Sequence, residues 1–130
     1  MVSVRVSPVV ELTRWLFERY RISYHEEPHA PILHVLATWR RGGGVEVPAV
    51  VGPEGVWGRA RDVLNGLDAK SRPGQRLYGD GDEERAANRA LVDRLLDLLL
   101  RTVRRYVYAQ LCPLKPVLYP VVTDGAPAWE

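Results

Sequence analysis

Few side chains in this sequence are placed to do chemistry, and most stand alone. Ser7 precedes Pro8 where the alternating run Val2 to Val6 gives way to helical spacing, and a serine before proline is a good helix N-cap, worth about 1 kcal/mol against alanine. Cys112 is the only cysteine, so neither an internal disulfide nor a cysteine-rich metal site is expected, and it reads as a small buried or semi-exposed residue. His25, His29 and His34 lie close together without a neighbouring thiol. They read as polar residues of a loop and a helix, and no metal is expected. Arg101, Arg104 and Arg105, with Tyr106 and Tyr108, read as a solvated helix face on which Asp97 and Arg101 are spaced for an i,i+4 pair.

The elements that must hold these residues follow from periodicity. Val2 to Val6 is a short strand. Val9, Leu12, Leu16 and Tyr20 recur at helical spacing behind Ser7-Pro8, and Trp15 and Phe17 widen the stripe. Ile22, Tyr24 and His25 make a second strand, ended by Pro28 and Pro31. Ile32, Val35, Leu36 and Trp39 share one face of a short helix, which Gly42-Gly43-Gly44 breaks. Glu46 to Val51 is extended chain entering a strand, Gly52-Pro53-Glu54-Gly55 turns, and Val56-Trp57 returns as its partner. Ala60, Val63, Leu64 and Leu67 mark a third helix. The alternation implies an α/β layer with a parallel pair first and an antiparallel hairpin last.

Composition shifts near residue 80. Gly79-Asp80-Gly81-Asp82 is a linker, and Glu83 to Leu111 reads as one long helix closed by Pro113. Leu91, Leu95, Leu98 and Leu99 form its stripe, widened by Val92, Leu96, Val103 and Val107. The tail from Leu114 is rich in proline and admits only short helical pieces. A helix with so broad an apolar face does not complete a bundle alone, so the segment is expected to dock and to belong to a helical domain cut short. The resulting division is residues 1–79 and 80–130.

The chain has 130 residues, 46% hydrophobic and 26% charged, with 18 Lys+Arg against 16 Asp+Glu for a net charge of +2. These values exclude collagen-like and wholly disordered classes. The small, scattered charge excess makes no case for nucleic acid. No apolar run approaches a membrane span and no signal-peptide core is visible, so neither a membrane nor export is expected, and the cytoplasm is the default.

Two stretches carry a resemblance. Ser7-Pro8-Val9-Val10-Glu11-Leu12-Thr13-Arg14-Trp15-Leu16-Phe17-Glu18, followed by Ile22-Ser23-Tyr24, resembles the first helix and second strand of glutathione transferases. Val47-Pro48-Ala49-Val50-Val51, then Val56-Trp57 and Val63-Leu64-Asn65-Gly66-Leu67-Asp68, is similar to that family's "Val-Pro-Val-Leu … Ile-Leu-x-Tyr-Leu-Asp" signature, with Gly66 in place of its tyrosine. The resemblance covers residues 1–79, and the long helix looks like the opening of the family's helical domain. The fold it implies is α/β: a thioredoxin-like βαβαββα module followed by a partial all-α segment.

The resemblance also implies a site. Ser7 would be the hydroxyl that donates to the sulfur of glutathione, favouring the thiolate over a thiol that ordinarily titrates near pH 8.5; the plain alternative is the cap. Pro48 would be cis, with the Val47 backbone pairing with the cysteinyl part of the tripeptide; the plain alternative is a proline that begins a strand. Arg59 and Ala60 fall where the family carries a Glu/Gln–Ser pair for the γ-glutamyl end. Arg59 then either favours an anionic ligand at a helix N-terminus or is solvated surface. Ser7-Pro8-Val9-Val10 lies where thioredoxins carry Cys-x-x-Cys, and without a thiol there dithiol–disulfide exchange is excluded. The Arg101–Tyr108 cluster would border an electrophile site. The implied activity is conjugation of the glutathione thiolate to a small electrophile, with glutathione as co-substrate. The alternative is a non-catalytic module of the same fold used for homodimerisation or protein interaction.

Overall fold

Val2, Ser3 and Val4 are all buried, which sets β1 (Val2–Ser3) in the middle of a strand layer rather than on a half-exposed face. The computed structural model describes residues 1–129, the side chain of Leu99 excepted. It is a mixed α/β chain. β1 pairs in parallel with β2 (Glu27–Pro28) on one side. On the other, Val2 makes an isolated antiparallel bridge with Ala49, its N–H 2.9 Å from the Ala49 carbonyl and the return bond 3.2 Å. Ala49 leads directly into β3 (Val50–Gly52), which pairs antiparallel with β4 (Gly55–Trp57) across a two-residue turn. Two small sheets are thus joined through one bridge in the order β2, β1, β3, β4.

The expected strands are shorter than the sequence implied, and the second is displaced. Ile22, Tyr24 and His25 form no strand; the pairing segment is Glu27–Pro28, two residues further on. Glu27 N–H donates to Met1 C=O at 2.8 Å and His29 N–H to Ser3 C=O at 2.9 Å, so Pro28 falls on the alternate position, where no donor is needed. Proline, taken as the end of the strand, sits inside it.

Helix α1 (Pro8–Arg19) buries Val9, Val10, Thr13, Leu16 and Phe17. The buried face is rotated from the expected one, for Trp15 is 53% exposed. Thr13 is accommodated because its hydroxyl donates to Val9 C=O at 3.0 Å. The helix ends in a Schellman turn: Arg21 N–H donates to Glu18 C=O and Ile22 N–H to Phe17 C=O, with Arg21 at φ 52°.

Helix α2 (His34–Arg40) begins later than Ile32, because Ile32 has φ 77° and cannot enter a right-handed helix. Its expected apolar face points outward, with Leu36 and Trp39 exposed; the buried side chain is Thr38, whose hydroxyl donates to Gly44 C=O at 2.7 Å. The glycine run then passes so close to the strand layer that a Cβ on Gly43 would lie 2.6 Å from the Ala49 Cβ, and one on Gly58 would lie 2.5 Å from the Gly43 carbonyl oxygen.

Helices α3 (Ala60–Lys70), α4 (Asp82–Leu111) and α5 (Lys115–Thr123) complete the chain. The compositional shift near residue 80 coincides with the start of α4, and Pro113 follows its last turn. Two compact units are present: Met1–Val63 with Pro116–Glu130, and Leu64–Lys115. In the first, Arg5 pairs with Asp124. In the second, the carboxylate of fully buried Asp68 accepts Leu77 N–H at 2.8 Å, Tyr78 N–H at 3.1 Å and Arg85 Nη2 at 2.6 Å, fixing the loop that carries buried Tyr78. No helix among the described residues is long and apolar enough to cross a membrane.

Candidate functional site

Ser7 and the Val47-Pro48 step both lie toward the C-terminal end of β1. Ser7 stands at the N-terminus of α1 in extended conformation, φ −80° and ψ 122°, and Pro8 supplies the first helical residue. Its backbone closes two turns at once: the N–H donates to Val4 C=O at 2.9 Å, and the C=O accepts from Val10 and Glu11 N–H. The side chain behaves differently from the sequence expectation, because the Ser7 hydroxyl makes no capping hydrogen bond. Pro8 at the first helical position has no N–H to offer, and the backbone bonds complete the turn. The hydroxyl is half-exposed and keeps its donor free.

Val47 and Pro48 reach the same end from the other side. Antiparallel to β1, the chain running back from Ala49 passes Pro48 and then Val47 toward the turn at Val4, to which Ser7 is bonded. The Val47–Pro48 peptide bond is cis, the isomer implied by the resemblance. Pro48 is fully buried, while Val47 is half-buried, and the Val47 N–H and C=O make no hydrogen bond among the described residues. A peptide-like donor and acceptor pair is therefore open beside a free hydroxyl.

Arg59 and Ala60 divide. Arg59 precedes α3 and its C=O accepts the first helical N–H groups, from Asp62 at 3.0 Å and Val63 at 3.1 Å. Its side chain is exposed and forms an ion pair with Glu46, Nε to Oε2 3.4 Å. Ala60 is buried in the core. Glu46 is the residue that sequence reasoning passed over as plain extended chain; the signal available was an acid immediately before the Val47-Pro48 step. Through it Arg59 is tied to the Val47 segment. The pair is exposed at both ends and contributes little to stability, but it presents a carboxylate and a guanidinium side by side.

The remaining candidates lie elsewhere. Cys112 is exposed beyond the last turn of α4. Among the described residues no three His, Cys, Asp or Glu side chains converge as a metal set. Arg101, Arg104 and Arg105 are exposed, as a solvated helix face would be. Of the expected leucine stripe, Leu91, Leu95 and Leu98 are exposed, and Leu99 lies outside the described side chains. Comparison of the chain with protein-family models, with curated proteins and with solved structures finds no match.

Proposed function

We propose that the chain is a glutathione-transferase-like protein with a thioredoxin-like strand layer, binding glutathione at the C-terminal end of β1 and directing its thiolate onto a small electrophile. The observation that carries this reading is the conjunction of a serine hydroxyl that caps nothing with an unpaired backbone donor and acceptor at Val47, both at one end of the same strand. Val47 N–H and C=O pair with the peptide part of the tripeptide as a further strand would. Ser7 donates to the sulfur, and the N-terminus of α1 adds its positive dipole end, so both favour the charged form of the thiol. The thiolate then forms a carbon–sulfur bond with the electrophile as the leaving group departs. Glu46 and Arg59 offer opposite charges to the zwitterionic γ-glutamyl end, in place of the acid and hydroxyl expected there.

Calorimetric titration with reduced glutathione tests the reading. Binding in the millimolar range or tighter is expected, together with turnover of an activated aryl halide that falls about tenfold or more in Ser7→Ala. Absence of binding heat at saturating millimolar glutathione overturns it.

A further inference from the structure

Two segments 119 residues apart meet beside the turn that presents Ser7. The Ser7 N–H bond to Val4 C=O, 2.9 Å, closes a four-residue turn whose second residue is Arg5. Arg5 is held at both ends. Its carbonyl accepts from Arg14 Nη1 at 3.4 Å, and its guanidinium pairs with the Asp124 carboxylate of the tail. All three residues belong to the first compact unit. The tail is shaped for this contact. Ala126 N–H donates to Thr123 C=O at 2.9 Å, closing a turn over Asp124 and Gly125, and Gly125 stands at φ 74°, where a side chain is strained. A Cβ there would also lie 3.1 Å from Pro28 Cγ in β2 and 3.5 Å from Arg5 Nη1, so the glycine lets the tail backbone come up against β2 and Arg5 together. Helix α5 buries none of its residues, which leaves this turn as a fixed point of the tail.

We propose that Asp124 and Arg5 form a latch by which the tail positions Ser7: Asp124 holds the Arg5 side chain, Arg5 sets the turn, and the turn sets the serine hydroxyl. Neither is a catalytic residue. Both are positioning residues that act through Ser7, and their consequence for turnover rests on the glutathione reading. Magnitudes separate this role from a structural one. The paired side chains are 47% and 63% exposed, and exposed pairs contribute little to folding. A small contribution still matters for a donor that must stay within hydrogen-bond reach of a sulfur atom, since a displacement of about 1 Å at a reacting centre costs on the order of a hundredfold in rate. Loss of the latch is therefore expected to leave the unfolding temperature nearly unchanged and to register at Ser7. Salt screens an exposed pair and weakens the latch in the same way.

Charge reversal in the full chain tests the latch. Arg5→Asp and Asp124→Arg are each expected to lower kcat for glutathione conjugation about threefold to tenfold with KM for glutathione little changed. The double variant restores the pair in reverse and is expected to recover most of that loss. Amide hydrogen exchange reads the positioning without any substrate. The Ser7 N–H is expected to exchange about threefold faster in each single variant and to slow again in the double one, while the Val63 N–H, bonded to Arg59 C=O, keeps its rate. A parent chain that binds no glutathione removes the glutathione reading and leaves the exchange rates to decide the latch. Ser7 exchange equal in all four chains, a double variant no better than the single ones, or an unaltered kcat in an active chain overturns the proposal.

Discussion

Arg14 and Glu26 meet in a two-pronged pair, Nε to Oε2 3.0 Å and Nη2 to Oε1 2.5 Å, while Ser3 donates to the same carboxylate at 2.6 Å. One carboxylate therefore ties α1, β1 and the approach to β2 together. The Arg14 hydrogen bonds hold the Glu26 carboxyl below its ordinary value of 4.5, with help from Ser3 and against the opposing effect of burial. A carboxyl depressed in the folded chain binds fewer protons than in the unfolded one. Its stabilisation is complete above about pH 4.5 and drains away as pH falls through the lower folded value. Chemical denaturation at a series of acidic pH values is expected to show this loss. Glu26→Gln is expected to flatten that part of the profile and to cost about 1–2 kcal/mol at neutral pH.

Asp68 has a heavier structural duty. It is fully buried and meets two backbone N–H groups and the Arg85 guanidinium. Asp68→Ala strands a guanidinium and two amides, and a loss of about 3–5 kcal/mol is expected. Asp68→Asn retains one acceptor and is expected to fall between the two in urea denaturation.

Ser7→Ala separates structure from chemistry. Because the hydroxyl makes no capping bond, the variant is expected to lie within about 0.5 kcal/mol of the parent, below the usual cost of a lost cap. Thermal denaturation beside the turnover assay checks this. A stability loss matching a full cap would show that the hydroxyl closes the helix in solution.

Arg21 occupies the left-handed position of the Schellman turn that ends α1, a place that glycine fills without a steric penalty. Arg21→Gly is expected to stabilise the chain by about 0.5–1 kcal/mol, the relief of Cβ crowding exceeding the added freedom of the unfolded state. Its denaturation midpoint should rise.

Gly58 lies against the Gly43 carbonyl with no room for a methyl group. Gly58→Ala is expected to cost about 1–3 kcal/mol through displaced backbone, measurable as a lowered unfolding temperature.

The helices were legible because each is encoded by contacts between near neighbours along the chain. Pro8 at a first turn, the spacing of Val63, Leu64 and Leu67, and the uninterrupted run to Leu111 act locally, and they place α1, α3 and α4 to within a residue or two. The hairpin was legible for the same reason, since Gly52 to Gly55 turns through adjacent residues. Strands of two or three residues carry too little pattern to locate, so β2 was displaced from Tyr24 to Glu27.

Residue types and near-neighbour spacing by themselves determined the order of elements, the solitary thiol and the pairing of Ser7 with Pro8. Tertiary structure alone decided which face of α2 is hidden, that Ser7 leaves its hydroxyl free, and that Glu46 joins Arg59 to the Val47 segment. It also made Asp68 a buried junction and left Leu91, Leu95 and Leu98 exposed. The reason is range: periodicity records what each residue could bury, but burial and hydrogen-bond partners are fixed by strands and loops far away in sequence.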